Sequence, residues 1–144
     1  MEKQPQFPFA PKDFARCLNA TCPRSQNCLR RTAALQDTDE HPFLKVVNPL
    51  RYPKEGEECE LFRSTDKVRM AWGVTHLLDN VPYKEGSLLR NMIINHLGRS
   101  QYYRCFRKER PFAPQDQQTI RMLFRQRGIS EEPSFDYYTN EFNW

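Results

Sequence analysis

Cysteines carry the sharpest chemical signal in this sequence of 144 residues. Four of the five fall in the first 60 residues, in the order C-x4-C-x5-C followed by a fourth after thirty residues; they are Cys17, Cys22, Cys28 and Cys59. Four thiolates are the ligand set of tetrahedral Zn²⁺, and they equally suit an iron–sulfur cluster. A zinc ion with four protein ligands has no open position for water, so its role would be structural. Reduced thiols buried without a metal are the alternative.

The half of the chain that holds these cysteines is rich in proline, with seven of the eleven prolines before residue 54. A loop-rich lobe of about 60 residues buries too little apolar area to offset its conformational entropy, so we expect a cross-link. The N-terminus lacks the apolar segment of a secretory signal. Since the cytoplasmic thiol pool keeps disulfides reduced, a metal is the more plausible cross-link. The sequence therefore predicts a cytoplasmic protein with a metal-stapled N-terminal lobe.

A second candidate site is the basic segment from Lys84 to Gly128. It contains ten Lys or Arg residues and only three acidic ones, a local net charge of +7. The tail from Ile129 to Trp144 has a net charge of −4. A basic block of this kind favours a polyanionic partner, because neutralised phosphates release their condensed counterions. A solvated basic face, partly covered by the acidic tail, is the alternative.

The order of elements in the basic segment resembles the helix-turn-helix of lambda-repressor-like domains, in which a short recognition helix enters the major groove of double-stranded DNA. The resemblance implies seven DNA-contacting residues: Arg99, Ser100, Gln101, Arg104, Arg107, Lys108 and Arg110. Among them, Gln101, Arg104 and Lys108 would share one base-reading face, the other arginines would contact phosphates, and Ser100 would cap the helix. The alternative is a helical bundle with the aromatic rings of this segment in its core.

Apolar periodicity and capping residues predict the elements that position these side chains. We expect helices over about 26–35, 64–79, 87–97 and 114–127, with a short one within 100–110. Ser87 is the expected cap of the third of these, and Gly128-Ile129 closes the 114–127 helix in the manner of a Schellman motif. In the helical block, Cys105 follows Arg104. That arginine would lower the pKa of its thiol, but a small residue packed in the core is the favoured interpretation.

These elements predict a mainly α fold: a small, helix-turn-helix-like bundle preceded by a loop-rich, cysteine-stapled lobe. The expected divisions are a lobe over 1–63 with an extended arm of alternating Phe and Pro, a basic helical domain over 64–129, and an acidic aromatic tail over 130–144, together forming one folded unit. The longest uncharged apolar stretch, 70–78, is far shorter than the roughly 18 residues of a membrane span.

The runs CLNATCPRSQNCLR, THLLDNVPY and PQDQQTIRMLFRQRGI resemble an uncharacterised family of short bacterial proteins, a domain of unknown function. The resemblance supplies no reaction, ligand or partner. The three histidines lie far apart, and no nucleotide-binding loop or nucleophile motif is present. We therefore expect a non-enzymatic protein, a DNA-binding regulator with structural zinc. The alternatives are a module that binds a protein partner through its arm and tail, and an iron–sulfur or redox sensor.

Overall fold

The computed structural model describes residues 9–36 and 40–144, which form two compact units. One unit contains the described residues up to Asp66 together with Phe142–Trp144, and the other is Lys67–Glu141. The described part holds four α-helices and a two-stranded antiparallel sheet. In chain order the elements are α1 (Leu29–Ala34), β1 (Lys67–Trp72), α2 (Tyr83–Leu97), α3 (Arg99–Phe106), α4 (Pro114–Gln126) and β2 (Tyr137–Phe142). Within this part of the chain, no helix has the length and apolar character needed to cross a membrane.

The prediction of a mainly α, helix-turn-helix-like bundle is wrong, because the chain is a small α/β protein. The segment expected to be a helix over 64–79 instead forms β1 and a turn. In β1, exposed Lys67 and Arg69 alternate with the more buried Val68 and Met70, which is the period of a strand. The apolar spacing of this segment also fits a helix. The strand forms because it pairs with β2, which begins about 65 residues after β1 ends, and local periodicity carries no information on such a distant partner.

The helix expected from Ser87 is present, but it begins at Tyr83, directly after Pro82. The next helix, α3, begins at Arg99 and has Gly98 as its N-cap, so the prediction that Ser100 caps it is wrong. Gly98 is the single residue between α2 and α3, and its φ of 86° is one that glycine adopts without steric cost.

The last predicted helix is confirmed as α4, with Pro114 in its first turn. After α4 the backbone amide of Gly128 donates to Arg125, and that of Ile129 donates to Phe124, both at 3.0 Å. These two bonds and the positive φ of Gly128 are the Schellman motif that the sequence predicts.

The core of the Lys67–Glu141 unit lies where α2, α3 and α4 pack together with β1. Its buried residues come from all four elements and the loops between them: Ala71, Val74, Leu77, Leu89, Ile93, Tyr102, Cys105, Phe112, Ile120 and Phe124. On the side of β1 away from β2, the backbones of Ala71 and Phe112 exchange two hydrogen bonds of 3.1 and 2.7 Å. The loop before α4 is thereby fixed to the sheet.

The acidic tail as far as Glu141 is part of this unit rather than an appendage. The amide of Asp136 donates to Trp72, and its carboxylate accepts from the amide and hydroxyl of Thr75 and pairs with Lys108 at 3.2 Å. Gly73 lies beneath this carboxylate with a φ of 77°, and a Cβ there would sit 2.2 Å from an oxygen of Asp136. Glycine is required at residue 73 for both reasons.

The other unit has a small core, in which Ala10, Phe14, Leu29 and Ala33 are buried. The ring of Trp144 packs edge-on against Phe14 with their centroids 5.3 Å apart. Of the predicted Phe and Pro arm, residues 1–8 lie outside the described part of the chain. The short helix expected near 26–35 is present as α1.

Candidate functional site

The four N-terminal cysteines are positioned by backbone hydrogen bonds in separate segments of the first unit. The amide of Cys17 donates to the carbonyl of Arg30 at 3.0 Å. Cys28 is the N-cap of α1, and its carbonyl accepts from the amide and hydroxyl of Thr32. The carbonyls of Cys22 and Cys59 each accept from an amide three residues later, which closes a turn at both residues. Short loops and one helical turn thus hold all four cysteines in place.

These four cysteines line a single cavity of about 30 Å³. Cys28 is buried and the other three are partly buried, and none is in a disulfide. The cavity has room for one or two water-sized groups. Among residues 9–36 and 40–144, no three side chains of the types that ligate metals lie close enough to hold an ion as they stand. The fold therefore brings the four cysteines around one small space, and coordination of an ion would require their sulfur atoms to move closer together.

The cavity is electropositive. Three arginines line it, Arg30, Arg31 and Arg51, whereas none of its described lining residues is acidic. Arg51 also pairs with Glu60, which lies outside the lining, so Arg30 and Arg31 contribute most of the uncompensated charge. Arg30 donates from Nε to the carbonyl of Leu61 at 2.7 Å and from Nη1 to that of Ala15 at 3.1 Å. These bonds fix its guanidinium beside the thiols, and no carboxylate in the described part of the chain pairs with it. Metals bind the thiolate form of cysteine, so a nearby guanidinium would compensate part of the negative charge of a metal–thiolate site.

The pKa of Arg30 reports the same surroundings. Burial lowers the pKa of its guanidinium, and repulsion from Arg63 lowers it further. The sulfur groups of Cys28, Cys59 and Cys17 act in the opposite direction. Arg30 therefore lies within electrostatic reach of three of the four cysteines, and negative charge on them would stabilise it.

The predicted DNA-reading face does not form, because α3 ends at Phe106 and Lys108 lies beyond it. Lys108 has a φ of 60°, its amide donates to Cys105, and the amide of Glu109 donates to Arg104. This is a second Schellman motif, with lysine at the position that glycine usually occupies. The geometry turns Lys108 away from the helix and toward Asp136.

Most of the other predicted DNA-contacting residues pair within the protein. Arg107 binds Glu109 at 2.8 Å, and Arg110 donates to the side chain of Gln101 at 2.5 Å. Arg99 lies 5.7 Å from the ring centre of Tyr103. Ser100 and Arg104 are exposed on α3. The seven predicted residues thus lie close together along the chain, but they do not present one continuous basic face.

Acidic residues also pair with basic residues outside α3. Glu132 binds Arg121 at 2.7 Å and Arg125 at 3.5 Å, and Glu85 binds Arg127 at 2.6 Å. Together with the bond between Lys108 and Asp136, these contacts place carboxylates on four residues of the basic segment. The tail therefore neutralises part of the positive charge of the basic segment.

Three arginines on α2 and α3 form no ion pair with a carboxylate in the described part of the chain: Arg90, Arg99 and Arg104. Arg90 donates to the hydroxyl of Tyr103 at 3.4 Å, and Arg99 lies beside the same ring. The hydrogen bond from Arg90 lowers the pKa of the Tyr103 phenol, and the charges of both arginines add to this effect. We use the name arginine–tyrosine cluster for Tyr103, the two arginines that lie against it, Arg90 and Arg99, and Arg104, which follows Tyr103 on α3. Arg90 was not predicted as part of a site, because it lies on a different helix from the motif.

Cys105 is a core residue, as the favoured interpretation predicts. It is 1% exposed and lies in the core of the Lys67–Glu141 unit. Burial raises the pKa of its thiol, which outweighs the opposing effect of Arg110 and Arg104. Cys105 is therefore a poor nucleophile and stands apart from the four cysteines of the cavity.

Comparison with known proteins identifies the family but no activity. The model of a family of unknown function, DUF6078, matches residues 1–144. The chain belongs to this family, which confirms the prediction of an uncharacterised domain family. No curated protein and no solved structure matches the chain.

Proposed function

We propose that this protein is a non-enzymatic metal-binding protein, in which Cys17, Cys22, Cys28 and Cys59 hold one structural Zn²⁺. The observation that carries the proposal is the single cavity that all four cysteines line. They come from segments spread over more than forty residues, so one ion bound to all four would cross-link most of the N-terminal unit. Such a link restricts the unfolded chain and is worth most where a core is small.

The need for a cross-link follows from the packing of this unit. Its buried apolar cluster has four members, two of which are alanines. Two partly buried rings, Phe142 and Trp144, pack against the cluster, so its apolar core remains small. Metal binding would add to the free energy of folding, since structural zinc sites contribute roughly 10 kcal/mol or more.

The size of the cavity favours a single zinc ion over an iron–sulfur cluster, and its arginines suit a negatively charged thiolate site. A volume of about 30 Å³ fits one ion better than a cluster of several iron and sulfide atoms. Zn²⁺ with four thiolates has a net charge of −2, and Arg30, Arg31 and Arg51 line the cavity that would contain it. Arg30 and Arg31 would thus compensate the bound site, as hydrogen-bonded groups around metal ligands commonly do, whereas Arg51 already pairs with Glu60.

The test is elemental analysis of protein purified anaerobically without added metal, with an absorption spectrum of the same sample. We expect about one zinc per chain and the loss of that zinc in Cys22→Ser. The matched control is Cys105→Ala, which removes a cysteine of the other unit and should retain the metal. Iron with labile sulfide would contradict the zinc proposal and favour the iron–sulfur sensor. A metal-free protein that melts cooperatively would overturn both proposals.

A second candidate function is binding to double-stranded DNA, now through phosphates rather than bases. The arginine–tyrosine cluster favours it, because its three arginines have no carboxylate partner in the described residues and so remain available to an external anion. The guanidinium of arginine binds phosphate through N–H donors that lie in one plane. Contacts to phosphates alone carry no base specificity, so such binding would not depend on DNA sequence. Gln101 and Lys108 are no longer candidates for base reading, since they bind Arg110 and Asp136.

This second function is tested by the salt dependence of binding to a duplex of mixed sequence. Substitution of Arg99 and Arg104 with Ala should reduce the slope of log K against log[salt] by about 2. Arg107→Ala is the matched control, because Arg107 is on the same segment but paired with Glu109. Equal salt slopes for the double variant and the wild type would show that the cluster does not contact DNA phosphates. If the wild type binds no duplex, the protein-partner alternative takes its place.

A further inference from the structure

A second cavity in the N-terminal unit combines positive charge with aromatic walls. It is an open pocket of about 380 Å³, within the range of small-molecule sites. Its chemically distinctive lining residues are Asp13, Phe14, Arg30, Lys45, Arg63 and Trp144. Three of these side chains are positively charged and one is negatively charged, so the lining has a net charge of +2. This pocket is separate from the cysteine cavity, although Arg30 lines both.

The two arginines of the pocket are held by backbone carbonyls. Arg63 donates from Nη1 to the carbonyl of Asn143 at 3.0 Å, and Arg30 is bound to the carbonyls of Leu61 and Ala15. Each guanidinium has five N–H donors, so these bonds leave several donors on both side chains for another acceptor. The arginines are close enough for Arg63 to lower the pKa of Arg30 by repulsion. An anion bound between them would relieve that repulsion.

The aromatic side of the pocket is also preformed. The guanidinium of Arg30 lies 4.8 Å from the ring centre of Phe14, which packs edge-on against Trp144. A ligand whose oxyanion contacts the arginines can therefore place an apolar or aromatic part against these rings. Fixed arginine forks match the paired oxygens of phosphate and carboxylate groups.

We propose that this pocket binds a small molecule that carries an oxyanion, a phosphate or carboxylate group, next to an apolar or aromatic part. Arg30 and Arg63 bind the oxyanion, Lys45 adds charge at the rim, and Phe14 and Trp144 contact the apolar part. Asp13 limits the charge that the site accepts, which favours singly or doubly charged ligands over polyanions.

The experiment uses the fluorescence of Trp144 in the full-length chain. Trp72→Phe leaves Trp144 as the single tryptophan. Phenyl phosphate, benzoate and inorganic phosphate are titrated at constant ionic strength. We expect a saturable change in Trp144 emission with the first two and weaker binding of inorganic phosphate, which has no ring. A preference for phenyl phosphate or for benzoate would identify the oxyanion.

Variants separate a specific site from general charge attraction. Arg63→Gln should weaken phenyl phosphate binding roughly tenfold to a hundredfold, because charged hydrogen bonds are lost. Lys45→Gln, at an exposed residue, should weaken it less, because Lys45 only adds charge at the rim. Arg24→Gln removes an arginine of the same unit outside the pocket and should leave affinity unchanged. No emission change at millimolar ligand, or equal affinities for all three variants, would overturn the proposal.

Discussion

At the residue scale, Asp136 joins three distant segments of the Lys67–Glu141 unit. Its carboxylate binds Thr75 after β1 and Lys108 after α3, while its own amide is fixed to Trp72. In the sequence it is one of four acidic residues in an acidic tail, and nothing in its local pattern distinguishes it. The signal that could have pointed to it is Gly73, because a glycine in an apolar run often marks the close approach of another group.

Asp136→Ala should lower the free energy of unfolding by about 2 to 3 kcal/mol, because charge-assisted hydrogen bonds are lost in a mostly covered site. Chemical denaturation followed by circular dichroism measures this difference. Asp79→Ala is the matched control, since Asp79 pairs with His76 on the exposed surface, where an ion pair contributes at most about 1 kcal/mol. Equal effects of the two substitutions would show that Asp136 does not join these segments.

The same residue predicts a pH dependence. The hydrogen bond from Thr75, with a further contribution from Lys108, lowers the pKa of Asp136 below its ordinary value of 3.8. The unfolded chain therefore takes up the proton first on acidification. The stabilisation is present above the ordinary value and is lost as the pH falls through the lower pKa of the folded state. Melting temperature should thus fall less steeply at acidic pH in Asp136→Asn than in the wild type.

At the element scale, the sequence predicts those helices whose signals are local. For α4, both signals lie within or next to the helix itself: Pro114 in its first turn and Gly128 just after its end. The observed helix therefore matches the prediction closely. The strands β1 and β2 pair across about 65 residues, so neither segment alone shows what it contacts. For β1 the apolar spacing favoured a helix, and tertiary pairing overrode it. The end of α3 depends on lysine in a left-handed conformation, which residue type does not predict.

Deletion of residues 131–144 should destabilise the Lys67–Glu141 unit rather than simply uncover its basic residues. The deletion removes β2, the hydrogen bond from Trp72 to Thr139 and all contacts of Asp136. We expect a melting temperature lower by at least 10 °C, since a loss of about 1 kcal/mol corresponds to roughly 4 to 8 °C in a domain of this size. Differential scanning calorimetry of the truncated chain measures it.

The point substitution Glu132→Gln is the control for that deletion. It releases Arg121 and Arg125 without removing a strand. If the tail masks a DNA-binding surface, duplex binding should strengthen in this variant while its melting temperature stays unchanged. For the chain truncated after residue 130, an unchanged melting temperature would show that β2 does not stabilise the Lys67–Glu141 unit.

At the scale of the whole molecule, chemistry is divided between the two units. The N-terminal unit holds the four thiols and the pocket that we propose binds an oxyanion. The Lys67–Glu141 unit holds the basic helices and most of the apolar core. The gathering of the cysteines could be anticipated from their number and from the weak core around them. The placement of two other arginines could not, because Arg51 of the cysteine cavity is 23 residues from Cys28, and Arg63 of the second pocket lies in a loop. Both depend on tertiary structure.

Arg30 lines both cavities of the N-terminal unit, so one substitution should affect two ligands. Arg30→Lys keeps the charge but loses the planar fork that binds Leu61 and Ala15. We expect zinc affinity to fall about tenfold to a hundredfold, as for other groups that support metal ligands, and phenyl phosphate affinity to fall as well. Competition with a chromophoric chelator measures the first, and Trp144 emission measures the second. Arg63→Gln should change only phenyl phosphate binding, and Arg31→Gln only zinc binding. If Arg30→Lys affected one ligand alone, the two sites would be independent, because a shared guanidinium requires both affinities to change together.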